Sequence, residues 1–170
     1  MLLAWWLLLP VHSAHAAPSA LVLHENQPVT LLWPALTMLS DPERRHTAEE
    51  LLSGSPAFGP MPATQGTLGV RPDAVWLRAT LTLAPGSAGR WILDIDYAPL
   101  NHIDVFLATG GRIVQQAVLG NTQPFTQRPL RSRSHTLALE LEPGVPYELL
   151  LRVQAQGAMI LPITLTPPPH

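Results

Sequence analysis

The 170-residue sequence predicts an all-β domain: an antiparallel β-sandwich of jelly-roll type with one short N-terminal helix. Three observations lead there. From Ala74 onward, apolar and polar residues alternate with period two, the repeat of a strand with one buried face. Gly/Pro turns punctuate the alternating segments. The connections are too short for crossover helices, which excludes parallel βαβ units. A closed barrel is the other architecture that this pattern allows.

Composition narrows the function classes. Nineteen prolines argue against a long helical bundle, while 46% hydrophobic residues suffice for a core. The absence of cysteine excludes a disulfide framework, a thiolate nucleophile and any cysteine-ligated metal. All ten basic residues are arginine, so lysine catalysis and a Walker-type phosphate loop are excluded as well. A net charge of −2 gives no general electrostatic support to a nucleic-acid partner, and none is expected.

The elements follow in order. Leu2 to Pro10 is an apolar run ending in Ala14-His15-Ala16, an A-x-A cleavage signal. Residues 1–16 are therefore expected to be a signal peptide cut after Ala16, with export to the periplasm. A short membrane anchor is the alternative. The run is too short to cross a ~30 Å hydrocarbon core as a helix. Residues 17–28 form an N-terminal extension, 29–166 the sandwich and 167–170 a proline-rich tail. Short apolar runs occur at Leu21-Val22-Leu23 and Val29-Thr30-Leu31-Leu32. Thr47-Ala48-Glu49-Glu50 reads as a capping box ahead of Leu51-Leu52, and Ser53-Gly54-Ser55-Pro56 stops that helix. Residues 53–72 read as ordered loop.

Six strands follow. Val75 to Leu83 places Val75, Leu77, Ala79, Leu81 and Leu83 on one face and Trp76, Arg78, Thr80 and Thr82 on the other. Trp91 to Tyr97 and Ile103 to Leu107 alternate in the same way. Gly110-Gly111 turns the chain into a hairpin partner at Ile113 to Leu119. Leu137 to Leu141 and Tyr147 to Val153 flank the turn Glu142-Pro143-Gly144. Ile163 and Leu165 open a last short strand.

Residues able to carry chemistry are few. The histidines show no metal-ligand spacing, and no metal site or cofactor is expected. Ser53-Gly54-Ser55 lacks the Gly-x-Ser-x-Gly elbow of a serine hydrolase. Asp94 and Asp96 share a strand face and Asp104 sits on the next strand. If those strands pair, the carboxylates approach one another, as in a glycosidase. The plainer reading is a solvated face balanced by Arg78 or Arg152.

The loop from Pro124 to Arg133 gathers three arginines with Phe125. Guanidinium groups recognise carboxylates bidentately and stack on aromatic rings, which suits a sugar or an acidic metabolite. The plainer reading has Arg128 anchoring its own loop, to Asp96 or Asp104, with Phe125 capping the core. Tyr97, Asp104, Phe125, Arg128 and Arg131 are the expected binding surface. Trp76 is either a ligand platform or a residue covered by the N-terminal segment. Trp33 and Trp91 read as core.

Several stretches together carry a family resemblance. They are Trp76-Leu77-Arg78, Asp94 through Phe106, Pro124 through Arg133, Tyr147 through Gln154 and Leu161-Pro162-Ile163-Thr164-Leu165, with Leu39-Ser40-Asp41-Pro42 upstream. In order and spacing they resemble the second type of extracellular sensor domain of bacterial seven-transmembrane receptors with diverse intracellular signalling modules. The resemblance runs from about Val29 to Thr166. It departs at Gly120-Asn121, where the family often has Gly-Asp.

The resemblance implies a periplasmic jelly roll similar to carbohydrate-binding modules. It also implies a seven-helix membrane domain with a cytoplasmic output as partner, neither of which precedes His170 in this sequence. The leading expectation is a non-catalytic exported sensor of a small ligand, a carbohydrate or an acidic metabolite. The alternatives are a periplasmic protein-interaction module and a glycan-active enzyme using the aspartates.

Overall fold

The computed structural model describes residues 20–168 apart from residues 55 and 65. The expected signal peptide, residues 1–16, lies outside the described residues. Thirteen strands run in chain order: β1 Leu21–Leu23, β2 Thr30–Leu31, β3 Thr37–Asp41, β4 Gly59–Pro60, β5 Thr67–Val70, β6 Ala74–Leu83, β7 Arg90–Ile95, β8 His102–Thr109, β9 Arg112–Leu119, β10 His135–Glu140, β11 Pro146–Gln154, β12 Ala158–Ile160 and β13 Ile163–Thr166. The helix α1 spans Ala48–Leu52.

The strands form a β-sandwich. One sheet runs β4-β3-β6-β11-β8-β9 and the facing sheet β10-β7-β13-β2, while β5 and β12 make a separate two-stranded sheet. The long strand β6 organises the larger sheet. Val75 to Thr82 of it pair with β11, and its other edge is shared by β3 at the N-terminal half and β1 at the C-terminal half. The β1–β6 pairing is parallel within an otherwise antiparallel sheet.

Alternation decides which side of each strand is buried. Val75, Leu77, Ala79, Leu81 and Leu83 of β6 meet Trp91, Leu93 and Ile95 of β7, with Leu149, Leu151, Ile163 and Leu165, in one continuous apolar core. Each such side chain taken from water contributes about 1.5–3 kcal/mol. That core holds the sandwich without cysteine. Trp91 is fully buried, as expected, and its indole Nε1 donates to the Ala88 carbonyl at 3.0 Å. Among the described residues, no helix is long and apolar enough to cross a membrane.

The capping box forms as the sequence predicts. Thr47 Oγ1 accepts from the Glu50 amide and Glu50 Oε2 accepts from the Thr47 amide, at 3.3 and 3.2 Å. Ala48 and Leu51 of α1 then pack with Trp76 and Leu150 in a second apolar cluster on the outer face of the larger sheet.

Two expectations need correction. Residues 53–72 are not all loop, because β4 and β5 lie within them. A two-residue strand and a strand containing Gly69 at φ +71° show no alternation to read. The aspartates of β7 and β8 do not lie on paired strands, since β7 pairs with β10 and β13 in one sheet and β8 with β9 and β11 in the other. The chain from 96 to 101 crosses between the sheets at one end of the sandwich.

That crossing requires a close approach. Gly120 sits at φ +117°, and a Cβ there would collide with the Asn101 carbonyl. Gly144 also has a positive φ of +76° but faces open space. Gly120→Ala is therefore expected to cost about 3 kcal/mol or more, against about 1–2 kcal/mol for Gly144→Ala. Urea denaturation of the two variants checks the order.

Candidate functional site

The strand ends at the crossing gather most of the polar chemistry. On the outer face of the larger sheet, cross-strand register aligns Trp76, Arg152 and Asp104 in one row. Arg152 donates through Nε and Nη2 to Asp104 Oδ2 at 2.9 and 2.8 Å. His102 Nε2 lies 3.0 Å from Asp104 Oδ1. The Arg152 guanidinium stands over the Trp76 ring, 5.6 Å from its centroid. Trp76 Nε1 in turn donates to Asp41 Oδ2 at 3.2 Å.

Trp76 is thus buried beneath α1 and offers no platform to a ligand. Burial pushes the Asp41 carboxyl up, but hydrogen bonds from Trp76 and from the Arg45 and His46 amides outweigh this and hold it below the usual carboxylate range. Arg78 pairs with Glu148 and stands over Phe58. The balance expected on this face is therefore divided: Arg152 serves Asp104, and Arg78 serves a glutamate.

The loop joining β9 to β10 lies at the same end. Phe125 to Gln127 form a 3-10 turn. Arg128 Nη1 donates to the Ser132 carbonyl at 3.0 Å, so Arg128 anchors its own loop through backbone and not through Asp96 or Asp104. Its guanidinium lies 5.2 Å from the Phe125 ring centroid. Phe125 is 56% exposed and does not cap the core. Arg131 and Arg133 are exposed on the same loop.

Below Arg128 is His135, which is buried. Burial, reinforced by the nearby Arg128 charge, holds the His135 imidazole below its ordinary pKa, against the hydrogen-bonding influence of the Ala98 and Tyr97 backbone. Among the described residues, Arg128 Nε and His135 Nε2 are buried without a hydrogen-bond partner.

The structure therefore brings Phe125 and Arg128 into contact, with Tyr97 reaching the same neighbourhood through His135. Tyr97 is half-buried against the main core. Asp104 is separated from this group. It is 9% exposed on the outer face of the other sheet and engaged by Arg152 and His102.

Sequence reasoning missed Asn101 and Arg44. Asn101 ties three loops together. Its Nδ2 donates to Asn121 Oδ1 at 3.1 Å, its Oδ1 accepts from the Gln156 amide at 2.7 Å, and its carbonyl accepts from Thr122 Oγ1 at 2.7 Å. Arg44 is the one non-glycine among the described residues with a positive φ, +55°. A single loop asparagine or arginine has no periodicity to reveal it.

These features define an all-β sandwich domain with Arg44, Arg128, Arg131, the Asn101 amide network and the exposed Phe125 at one end. The chain belongs to the 7TMR-DISM extracellular 2 family, whose model matches residues 34–167. This is the extracellular sensor domain of seven-transmembrane receptors that the sequence resembles. No curated protein matches the chain.

Among solved structures, the chain is similar to part of the β-glucuronidase from Ruminococcus gnavus. In complex with a C6-substituted uronic isofagomine, that enzyme matches with TM-score 0.47 and 10% identity, over 82% of this chain and 29% of that one. With an N1-substituted uronic isofagomine the TM-score is 0.45 and the identity 11%, at the same coverage. The chain thus spans under a third of the enzyme's length, and likeness at this level carries no statement about activity.

Acid stability follows from the buried carboxylates. Hydrogen bonds from Arg71, joined by one from Ser40, hold Asp73 down to about 2 against the opposing effect of burial. A carboxyl lowered in the folded state stabilises it above the ordinary value of 3.8, and that contribution is lost as pH falls from 3.8 toward 2. Asp73→Asn is expected to flatten the acid limb of stability below pH ~4 and to cost roughly 1–3 kcal/mol at neutral pH. Urea midpoints measured against pH check both.

Proposed function

We propose that this domain is the ligand-sensing part of a seven-transmembrane signalling receptor. It is exported to the periplasm by residues 1–16, with cleavage after Ala16. Residues 29–166 form the sensing unit, and the domain itself is non-catalytic. The family match over residues 34–167 is the observation that supports this reading most.

The binding surface on this reading is the loop from Pro124 to Arg133 with Tyr97 beside it. Phe125 offers an exposed ring and Arg128 a guanidinium stacked on it, with Arg131 at the rim. An aromatic face beside a cationic fork suits a small carbohydrate or an acidic metabolite. The buried, unpartnered nitrogens of Arg128 and His135 give that surface a polar floor. Asp104 is left out of it, because Arg152 and His102 already occupy its carboxylate.

In a receptor, the ligand signals by binding more tightly to one of two arrangements of the domain relative to the membrane helices. The signal is limited by that difference in affinity.

Calorimetry of the purified protein against a panel of oligosaccharides and organic acids tests this. A ligand is expected to bind and to lose at least about tenfold in affinity in Phe125→Ala and in Arg128→Ala, each with an unchanged melting temperature. Unchanged affinity in both variants would refute the loop surface. No binding across the panel would refute small-ligand sensing of these classes.

A further inference from the structure

A second cleft opens at the same end of the sandwich, on the far side of Asn101. It is about 240 Å³ in volume and is lined by Arg44, Asp73, Asn101, His102, Gln154 and Gln156. Four loops and strand ends meet there: the turn after β3, the turn before β6, the start of β8 and the end of β11. Pro72 and Ala155 complete the lining, and the other six side chains are polar.

The cleft is flanked by four arginines and four carboxylates, and they are not all engaged with one another. Asp73 is bound by Arg71 through Nε and Nη2 and by Ser40. Asp104, behind His102, is bound by Arg152. The Asp41 carboxylate receives Trp76 Nε1 and two backbone amides. Arg45 pairs with Glu43. Of these four arginines, Arg44 is the one with no carboxylate partner: its Nη2 reaches the Pro72 carbonyl, at 3.5 Å.

The backbone of Arg44 adds a second, independent observation. Its φ of +55° lies in the left-handed region, where a residue with a Cβ costs about 1–2 kcal/mol more than glycine. The turn would be relieved by glycine, yet it carries an arginine at the rim of the polar cleft. Strain of this kind is tolerated where the side chain is used.

The other walls fit a partner that offers both donors and acceptors. The Gln154 and Gln156 amides supply each kind of group. His102 uses Nε2 on Asp104, which leaves Nδ1 as its second polar atom. Asn101 is consumed by Asn121 and Gln156 and serves as a fixed wall. At about 30 Å³ for each water-sized group, the volume holds roughly eight non-hydrogen atoms.

We infer that this cleft binds a small hydroxy acid, with its carboxylate on the Arg44 guanidinium and its hydroxyl against His102 and the two glutamines. The site is separate from the Phe125–Arg128 loop, on which the reading above rests, and each can fail without the other.

The test is titration of the purified protein with L-malate, followed by backbone amide NMR shifts, with succinate and glycerol as companions. L-malate is expected to shift the amides of His102 and Gln154 to Gln156 saturably at millimolar concentration. Succinate, which lacks the hydroxyl, binds more weakly, and glycerol, which lacks the carboxylate, produces no shifts. Arg44→Gly weakens L-malate at least about tenfold while leaving the melting temperature equal or higher, because the turn is relieved. Phe125→Ala leaves L-malate binding unchanged. Absence of shifts at tens of millimolar would overturn the inference. So would parental affinity in Arg44→Gly, or shifts confined to residues 124–134.

Discussion

The loop-bearing end of this domain depends on one backbone contact, the approach of Gly120 to the carbonyl of Asn101. Strands β7 and β8 are neighbours in sequence but lie in different sheets, so residues 96–101 must carry the chain across the end of the sandwich. A crossing of this kind leaves backbone groups without a ladder, and each needs a partner. Asn101 meets much of that need. Its carbonyl accepts from the amide and the hydroxyl of Thr122, and the Asn121 amide donates to the neighbouring Leu100 carbonyl. Its side chain binds Asn121 and the Gln156 amide. The residue after β9 must be glycine for the two backbones to come this close. From there the chain enters the Phe125–Arg128 loop on one side, while Asn101 walls the Arg44 cleft on the other.

The second constraint is charge allocation. The chain contains no lysine, so every fixed cation is a guanidinium with a planar, directional fork. Among the described residues five of these pair with carboxylates: Arg152 with Asp104, Arg71 with Asp73, Arg78 with Glu148, and the more exposed Arg45 with Glu43 and Arg90 with Glu140. The first three pairs satisfy the acids that the sheet buries or half-buries, and they lock side chains on its outer face. Arg44, Arg128 and Arg131 are not used in this way. Arg128 and Arg131 stand on the loop after β9, and Arg44 on the turn after β3.

Much of the fold was legible because strands with one buried face write their geometry as alternation. Val75 to Leu83, Ile103 to Leu107 and Tyr147 to Val153 show it on their core-facing positions, and Trp76, Phe106 and Leu150 add apolar residues on the outer face. The capping box at Thr47 and Glu50 marked α1 by a local exchange of two hydrogen bonds. Strand β3 was not legible, since Thr37-Met38-Leu39-Ser40-Asp41 is partly buried on both faces and does not alternate. Pairing was a harder problem than strand identity. Nothing local in Asp94 and Asp104 shows that the intervening turn changes sheets. The loop residues divided in the same way. Phe125 and Arg128 were visible as an aromatic among arginines, and their contact followed. Asn101 and Arg44 act through a backbone approach and a backbone torsion, which residue type does not encode.

On this account the Asn101 junction positions both proposed binding surfaces without carrying the sandwich itself. Amide hydrogen exchange of Asn101→Ala against the parent protein tests this directly. Protection is predicted to fall in residues 120–134 and 154–157 while the amides of β6, β7, β11 and β13 keep their parental protection. Unchanged exchange in those loops, or a uniform loss across the core strands, would contradict it.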